Sequence, residues 1–144
     1  MKKIMLLAAL VLMASGAATA RERMVGFERL PKQAQQFIKT HFAVGDISYI
    51  TYDNEITDLT YDARFDDGTE LEFDRKGELL KAEARRGGSI PTSLLPASIT
   101  TYLEENHSMS RVVKVERNHR SWEVELSGGT EIVFDQRGRV RWYD

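Results

Sequence analysis

Asp67-Gly68-Thr69-Glu70-Leu71-Glu72-Phe73-Asp74-Arg75-Lys76-Gly77 and Gly128-Gly129-Thr130-Glu131-Ile132-Val133-Phe134-Asp135-Gln136-Arg137-Gly138 are one pattern written twice, 61 residues apart. Each reads as turn, strand, turn. Asp67-Gly68 and Gly128-Gly129 supply the positive φ values that tight hairpins need. Leu71-Glu72-Phe73 and Ile132-Val133-Phe134 are short strand cores, and each is followed by a four-residue turn. In those turns Asp74 or Asp135 accepts from the backbone, and Gly77 or Gly138 takes the left-handed position.

The duplication extends upstream. Leu30-Pro31-Lys32-Gln33-Ala34-Gln35-Gln36-Phe37-Ile38 matches Leu95-Pro96-Ala97-Ser98-Ile99-Thr100-Thr101-Tyr102-Leu103 at an offset of 65. The second copy has therefore lost four residues between helix and hairpin. Two copies make a tandem duplication, since a solenoid array needs three or more stacked units. Repeat one covers about 25–86 and repeat two about 90–144, with Arg85-Arg86-Gly87-Gly88-Ser89 as the most linker-like stretch between them. In the first copy Leu30, Ala34, Phe37 and Ile38 share one helical face; in the second Leu95, Ile99, Tyr102 and Leu103 do so. Pro31 and Pro96 fit the first helical position, where a missing N–H costs nothing. Gly45 is the expected terminator of the first helix and Asn106 of the second.

Past each helix the period changes from 3.6 to 2. Leu59–Phe65 and Trp122–Leu126 alternate apolar with polar residues, as strands with one buried and one wetter face do. Further strands are expected near Asp46–Tyr52, Leu79–Ala84, Arg111–Arg117 and Arg139–Tyr143. Leu79 and Leu80 are both apolar, which leaves the phase of that strand open. The expected fold is α+β: two tandem repeats of a helix plus a four-stranded antiparallel meander. Together they form one sheet of about eight strands with the helices on one face.

The chain has 144 residues, no cysteine and a formal charge of −2. Lys2-Lys3, the apolar run Ile4–Met13 and the small residues Ala18-Thr19-Ala20 follow the order of a secretory signal, with cleavage after Ala20. The apolar run is too short to span a bilayer, which takes ~20 residues. Cleavage leaves 124 residues, 21–144, as a single domain. It removes two lysines, so 18 basic residues face 22 acidic ones, for a net −4. That balance argues against a nucleic-acid partner, and the missing cysteine against disulfides, thiolate metal sites and a lipidated N-terminus. A periplasmic protein without a membrane anchor is expected.

A search for chemistry finds little. His41 falls in the last turn of helix one, His107 just past helix two, and His119 at a hairpin tip; none has a metal-ligand spacing to another. Asp62, Asp66, Asp67 and Asp74 suggest calcium. A calcium loop starting at Asp62, however, needs glycine at its sixth position, which is Asp67. Turn chemistry explains Asp67 and Asp74 instead. There is no Gly-x-Ser-x-Gly motif. No catalytic residue, cofactor or metal ligand is therefore assigned.

The outward strand positions are more informative. With Tyr61, Ala63, Phe65, Leu71 and Phe73 inward, Asp62, Arg64, Glu70 and Glu72 point out. In repeat two Glu123, Glu125, Glu131, Val133, Arg139 and Arg141 do so, and Trp122 and Trp142 fall inward by phase. A solvated face with cross-strand ion pairs is the plain reading. The functional one is docking of a periplasmic protein or peptide through Arg64, Glu72, Glu123, Arg141 and Tyr143, since Arg and Tyr often carry interface energy.

The Leu-Pro helix starts and the two strand–turn signatures quoted above resemble the PepSY-like family of small exported bacterial proteins, whose fold is related to the beta-lactamase inhibitor protein. The resemblance covers nearly the whole mature chain. It implies a sheet with helices on one face and an open face available for binding, and it carries over no catalytic residues. The expected function is a non-enzymatic binding or inhibitor-like module. A small-ligand or ion sensor is the alternative, followed by a hydrolase.

Overall fold

The structure, a computed structural model, describes residues 22–55 and 58–144. The expected signal segment, residues 1–20, lies outside the described residues.

Ten-residue helices α1 (Lys32–His41) and α2 (Ala97–Asn106) each precede four strands. After α1 come β2 (Ile47–Asn54), β3 (Leu59–Phe65), β4 (Glu70–Asp74) and β5 (Leu79–Glu83). After α2 come β6 (Val112–Arg117), β7 (Ser121–Leu126), β8 (Glu131–Asp135) and β9 (Val140–Tyr143). A further strand, β1 (Glu22–Val25), precedes α1 and pairs with β2. All nine lie antiparallel in one sheet in chain order. The expectation of about eight strands is thus short by one. Glu22-Arg23-Met24-Val25 is too brief and too polar to show a period, and it is a strand because β2 offers it an edge.

Both prolines stand one residue earlier than expected. Pro31 and Pro96 have extended ψ values of 145° and 142° and cap the helices from outside. The Pro31 carbonyl accepts from the Gln35 N–H, and the Pro96 carbonyl from the Ile99 and Thr100 N–H groups. Gly45 does not end α1. The helix closes at Phe42, whose N–H donates to the Ile38 carbonyl, and Gly45 lies in a separate turn of 3₁₀ helix.

One register row crosses the whole sheet on the helix side: Val25, Ile50, Ala63, Leu71, Ala82, Val115, Val124, Ile132 and Tyr143. Its seven interior members are buried and belong to a single core with Leu30, Ala34, Ile38, Leu95, Ile99 and Leu103 from the helical segments. Aromatic pairs lock each helix to its strands. Phe37 meets Phe73 edge-on at 5.6 Å, and Tyr102 meets Phe134 at 5.5 Å. The turn glycines fix the other contact. Gly77 has φ +89°, and a Cβ there would lie 2.7 Å from the Ala34 nitrogen and 2.9 Å from the Pro31 Cβ. The β4–β5 turn therefore packs directly on the first turn of α1.

Four β-bulges set which side chains face which way. The extra residues are Ser48, Leu80, Val113 and Arg141. At Leu80 the bulge settles the phase of β5: Leu79 and Ala82 are buried and Lys81 faces the opposite side. At Arg141 it overturns the expected phase of β9. Strict alternation from Val140 sends Trp142 inward and Tyr143 outward; the extra residue reverses both. Trp142 pairs with Val133 on the open face, while Tyr143 pairs with Ile132 on the helix side, its ring 6.0 Å from His107. Trp122 faces inward as expected and packs on the core.

Phe73→Ala and Phe134→Ala should each lower the unfolding free energy by ~3–5 kcal/mol. Gly77→Ala should cost more than ~1 kcal/mol, since it meets both a positive φ and backbone. Urea unfolding checks all three, and losses below ~1 kcal/mol at both phenylalanines would contradict this packing.

Candidate functional site

The face away from the helices is built from two further register rows. The first runs Met24, Thr51, Asp62, Glu72, Lys81, Glu116, Glu123, Val133, Trp142. The second runs Tyr49, Arg64, Glu70, Glu83, Lys114, Glu125, Glu131. Asp144 extends it, because Glu131 and Asp144 exchange backbone hydrogen bonds of 2.9 and 2.8 Å. Period-two alternation places these residues here, since every core residue of a strand forces its neighbours outward.

Charge is ordered along the rows. At the seam between β5 and β6, Lys81, Glu83, Lys114 and Glu116 alternate in sign. The Lys81 and Lys114 ammonium groups lie 2.8 Å from the Glu83 and Glu116 carboxylates of their own strands. The hydrogen bond to Glu83 holds Lys81 above its ordinary pKa and Glu83 below its own. Toward β1, Arg64 bonds to Glu70 and lies 5.8 Å from the Tyr49 ring centre. Toward β9 there is no such partner. Glu123, Glu125 and Glu131 have no ion pair among the described residues, and with Glu116 and Lys114 they line an open recess of about 200 Å³.

Four like-charge pairs stand directly opposite each other in these rows: Asp62 and Glu72, Glu70 and Glu83, Glu116 and Glu123, Glu125 and Glu131. Such pairs destabilise a sheet. Asp62 shows the effect: burial, then Glu72, Glu22 and Glu70, push its carboxyl up to about 6, against a smaller opposing pull from Lys81.

Of the residues proposed from the sequence, Arg64, Glu72 and Glu123 come together on this face. Arg141 is the unpaired bulge residue beside the rows, and Tyr143 lies on the helix side, for the reason given above. Sequence reasoning missed Lys81, Lys114 and Trp142. The signal for the lysines was the repeated Lys81-Ala82-Glu83 and Lys114-Val115-Glu116, a charge pair straddling a core residue and beginning at the third residue of each strand. Turn chemistry explains the aspartates as expected. Asp67 Oδ1 accepts from the Thr69 N–H at 2.8 Å, Asp74 Oδ1 from Lys76 and Glu78, and Asp135 Oδ1 from Arg137 and Arg139. Those backbone donors hold the carboxyls of Asp67 and Asp135 below the ordinary range. A recess of about 840 Å³ is an open trough at the turn end of β2–β4 lined by Asp53, Glu72, Asp74, Glu78 and His119 among others. Among the described residues no group of three His, Asp or Glu side chains is placed to hold a metal ion, and no helix is long and apolar enough to cross a membrane.

The sequence pattern of the beta-lactamase-inhibitor-like, PepSY-like family matches residues 59–141. The chain belongs to the PepSY-like family. Solved structures agree with it over most of their length. A periplasmic protein of the DUF2874 family from Bacteroides vulgatus is 32% identical, with a TM-score of 0.78 over 85% of this chain and 96% of that one. A protein from Bacteroides thetaiotaomicron described as calcium-regulated and periplasmic is 29% identical, with a TM-score of 0.81 over 88% and 98%. A second Bacteroides vulgatus periplasmic protein, described as of unknown function, is 31% identical, with a TM-score of 0.77 over 85% and 98%. No functionally curated protein matches the chain.

The Asp62 carboxyl holds its proton more tightly in the folded chain than in the unfolded one. Its contribution to folding is therefore fully present below about pH 4, falls as the pH rises from there through about 6, and is absent above that. Asp62→Asn should raise the melting temperature at about pH 7.5 and leave it nearly unchanged near pH 4. A carbon-13 titration placing the Asp62 carboxyl at its ordinary value would contradict this.

Proposed function

We propose that this PepSY-like chain is a non-enzymatic binding module of the periplasm, and that a partner protein docks on the sheet face opposite the helices. One observation carries the reading. Both helices lie on one side of the sheet, and the other side carries two long rows of charged and aromatic side chains with no element of the described chain over it. The segment Met1–Ala20 acts as the export signal, cleaved after Ala20, which accords with relatives described as periplasmic. The two halves are tandem copies of one helix-plus-four-strand unit. In support, the bulges at Ser48 and Val113 keep the 65-residue offset of the helices, and those at Leu80 and Arg141 the 61-residue offset of the hairpins.

A hydrolase would need polar groups converging in a closed pocket, whereas the recesses of this face and of the turn end are open troughs. A calcium-sensing role has one observation in its favour, the description of the Bacteroides thetaiotaomicron relative. The carboxylates of this chain lie spread along strands ~4.8 Å apart instead of converging on one point.

Docking is checked by placing a photo-crosslinking amino acid, one position at a time, at Glu72 and Glu123 on the sheet face and at Lys39 and Glu104 on the helices, in cells exporting the protein. Defined adducts should form from the sheet positions alone. Adducts arising from the helix positions instead would overturn the assignment of the face.

A further inference from the structure

We propose that the partner is a basic polypeptide surface, rich in arginine, lying across the sheet with its cations over β7 and β8 and its apolar atoms against Trp142. This deepens the docking reading and rests on it.

Charge complementarity is the first argument. Across the two rows eight carboxylates (Asp62, Glu70, Glu72, Glu83, Glu116, Glu123, Glu125, Glu131) face three cations. Each cation is already engaged by a carboxylate of the same face: Arg64 by Glu70, Lys81 by Glu83, Lys114 by Glu116. Asp62, Glu72, Glu123, Glu125 and Glu131 form no ion pair among the described residues, and Glu123 and Glu131 have no cation opposite them in register. The register then sets Glu125 against Glu131 and Glu116 against Glu123, so the isolated chain carries a repulsion that a cationic partner would turn into attraction.

The distribution of exposed apolar side chains is a second, independent observation. Met24, Tyr49 and Trp142, three of the large hydrophobics that stay exposed, stand at the ends of these two rows. Trp142 is 48% exposed, while the Val133 opposite it, an outward-facing valine on an otherwise charged face, is only 5% exposed. A half-exposed tryptophan seated on a buried valine and bordered by glutamates is an environment that a guanidinium fits. The plane stacks on the indole and the fork takes carboxylates.

The chain's own arginine is a third pointer, since it occupies the corresponding place in the first half. Arg64 faces Glu70 in register and lies over Tyr49. In the second half the residue facing Glu131 is Glu125, with Lys114 where Tyr49 stands in the first half, so the carboxylate is present but the arginine is not. A single divalent ion does not answer this arrangement, because among the described residues no three acidic side chains converge on one point.

The probe is a short oligo-arginine peptide, with an oligo-glutamate peptide and millimolar calcium chloride as the competing arms, added to nitrogen-15-labelled mature protein. Oligo-arginine should shift the amides of β7–β9 and bind less tightly as salt rises. Combining Glu123→Gln, Glu125→Gln and Glu131→Gln should weaken it roughly tenfold or more, and Trp142→Ala should weaken it further. The glutamine variant should melt no lower than the parent, because its like-charge pairs are relieved, so loss of binding is not loss of fold. Unchanged affinity in that variant, or shifts confined to the helices, would overturn the proposal. Calcium shifting the same amides at saturation while oligo-arginine does not would overturn it in favour of an ion. If oligo-glutamate binds the face instead, or oligo-arginine fails while crosslinks from Glu72 and Glu123 persist, the cationic partner is wrong and the docking face stands. Crosslinks from the helix positions alone would remove both.

Discussion

The structure depends on a strand's two-residue period being spent on one side only. Seven consecutive strands each give a buried residue to the row from Ile50 to Ile132, and both helices lay their apolar stripes on that row. With no disulfide available, this contact and the ladder hydrogen bonds supply the stability. Each side chain committed inward fixes its neighbours outward, so the composition of the open face is a consequence of the core. A core built from both halves also makes the sheet continuous across the β5–β6 seam, and the open face inherits that continuity.

The bulges are what make the open face more than a mirror of the core. Without the extra residue at Leu80, Lys81 would point toward the helices and the alternating quartet at the seam would not form. Without the one at Arg141, Trp142 would be inward and the acidic end of the face would have no aromatic neighbour. Their cost is small, since both lie near a turn where pairing is ending anyway. Their effect is to trade one side chain between faces. The face therefore carries charge in its centre, unpaired carboxylates toward β9 and aromatic residues at its margins.

Much of this was legible in the chain itself. The helices, the hairpin turns and the inward phases of Tyr61, Ala63, Phe65, Leu71 and Phe73 follow from apolar spacing and from Asp-Gly turn chemistry, both local signals. What was not legible has a common cause. β1 has no periodicity of its own and exists through its pairing with β2. The phases of β5 and β9 turn on bulges that only the partner strand reveals, which is why Trp142 and Tyr143 exchange sides. Gly45 looked like a helix terminator because glycine commonly is one, yet α1 closes three residues earlier at Phe42, whose ring meets Phe65 at 5.1 Å. Among the site residues, Arg64, Glu72 and Glu123 lie on unbulged strand segments and were placed correctly. Arg141 and Tyr143 lie at a bulge: Arg141 falls outside the register rows, and Tyr143 turns to the helix side.

The central claim is that the face opposite the helices is uncovered and negatively charged, with Trp142 standing on it. Fluorescence quenching of Trp142 in a Trp122→Phe variant tests both halves at once, using caesium and iodide as quenchers of opposite charge. An exposed indole beside Glu123 and Glu131 should be quenched readily by caesium and poorly by iodide, with the difference shrinking as salt rises. Protection from both ions would mean that the face is covered, and stronger quenching by iodide would mean that its charge is of the other sign.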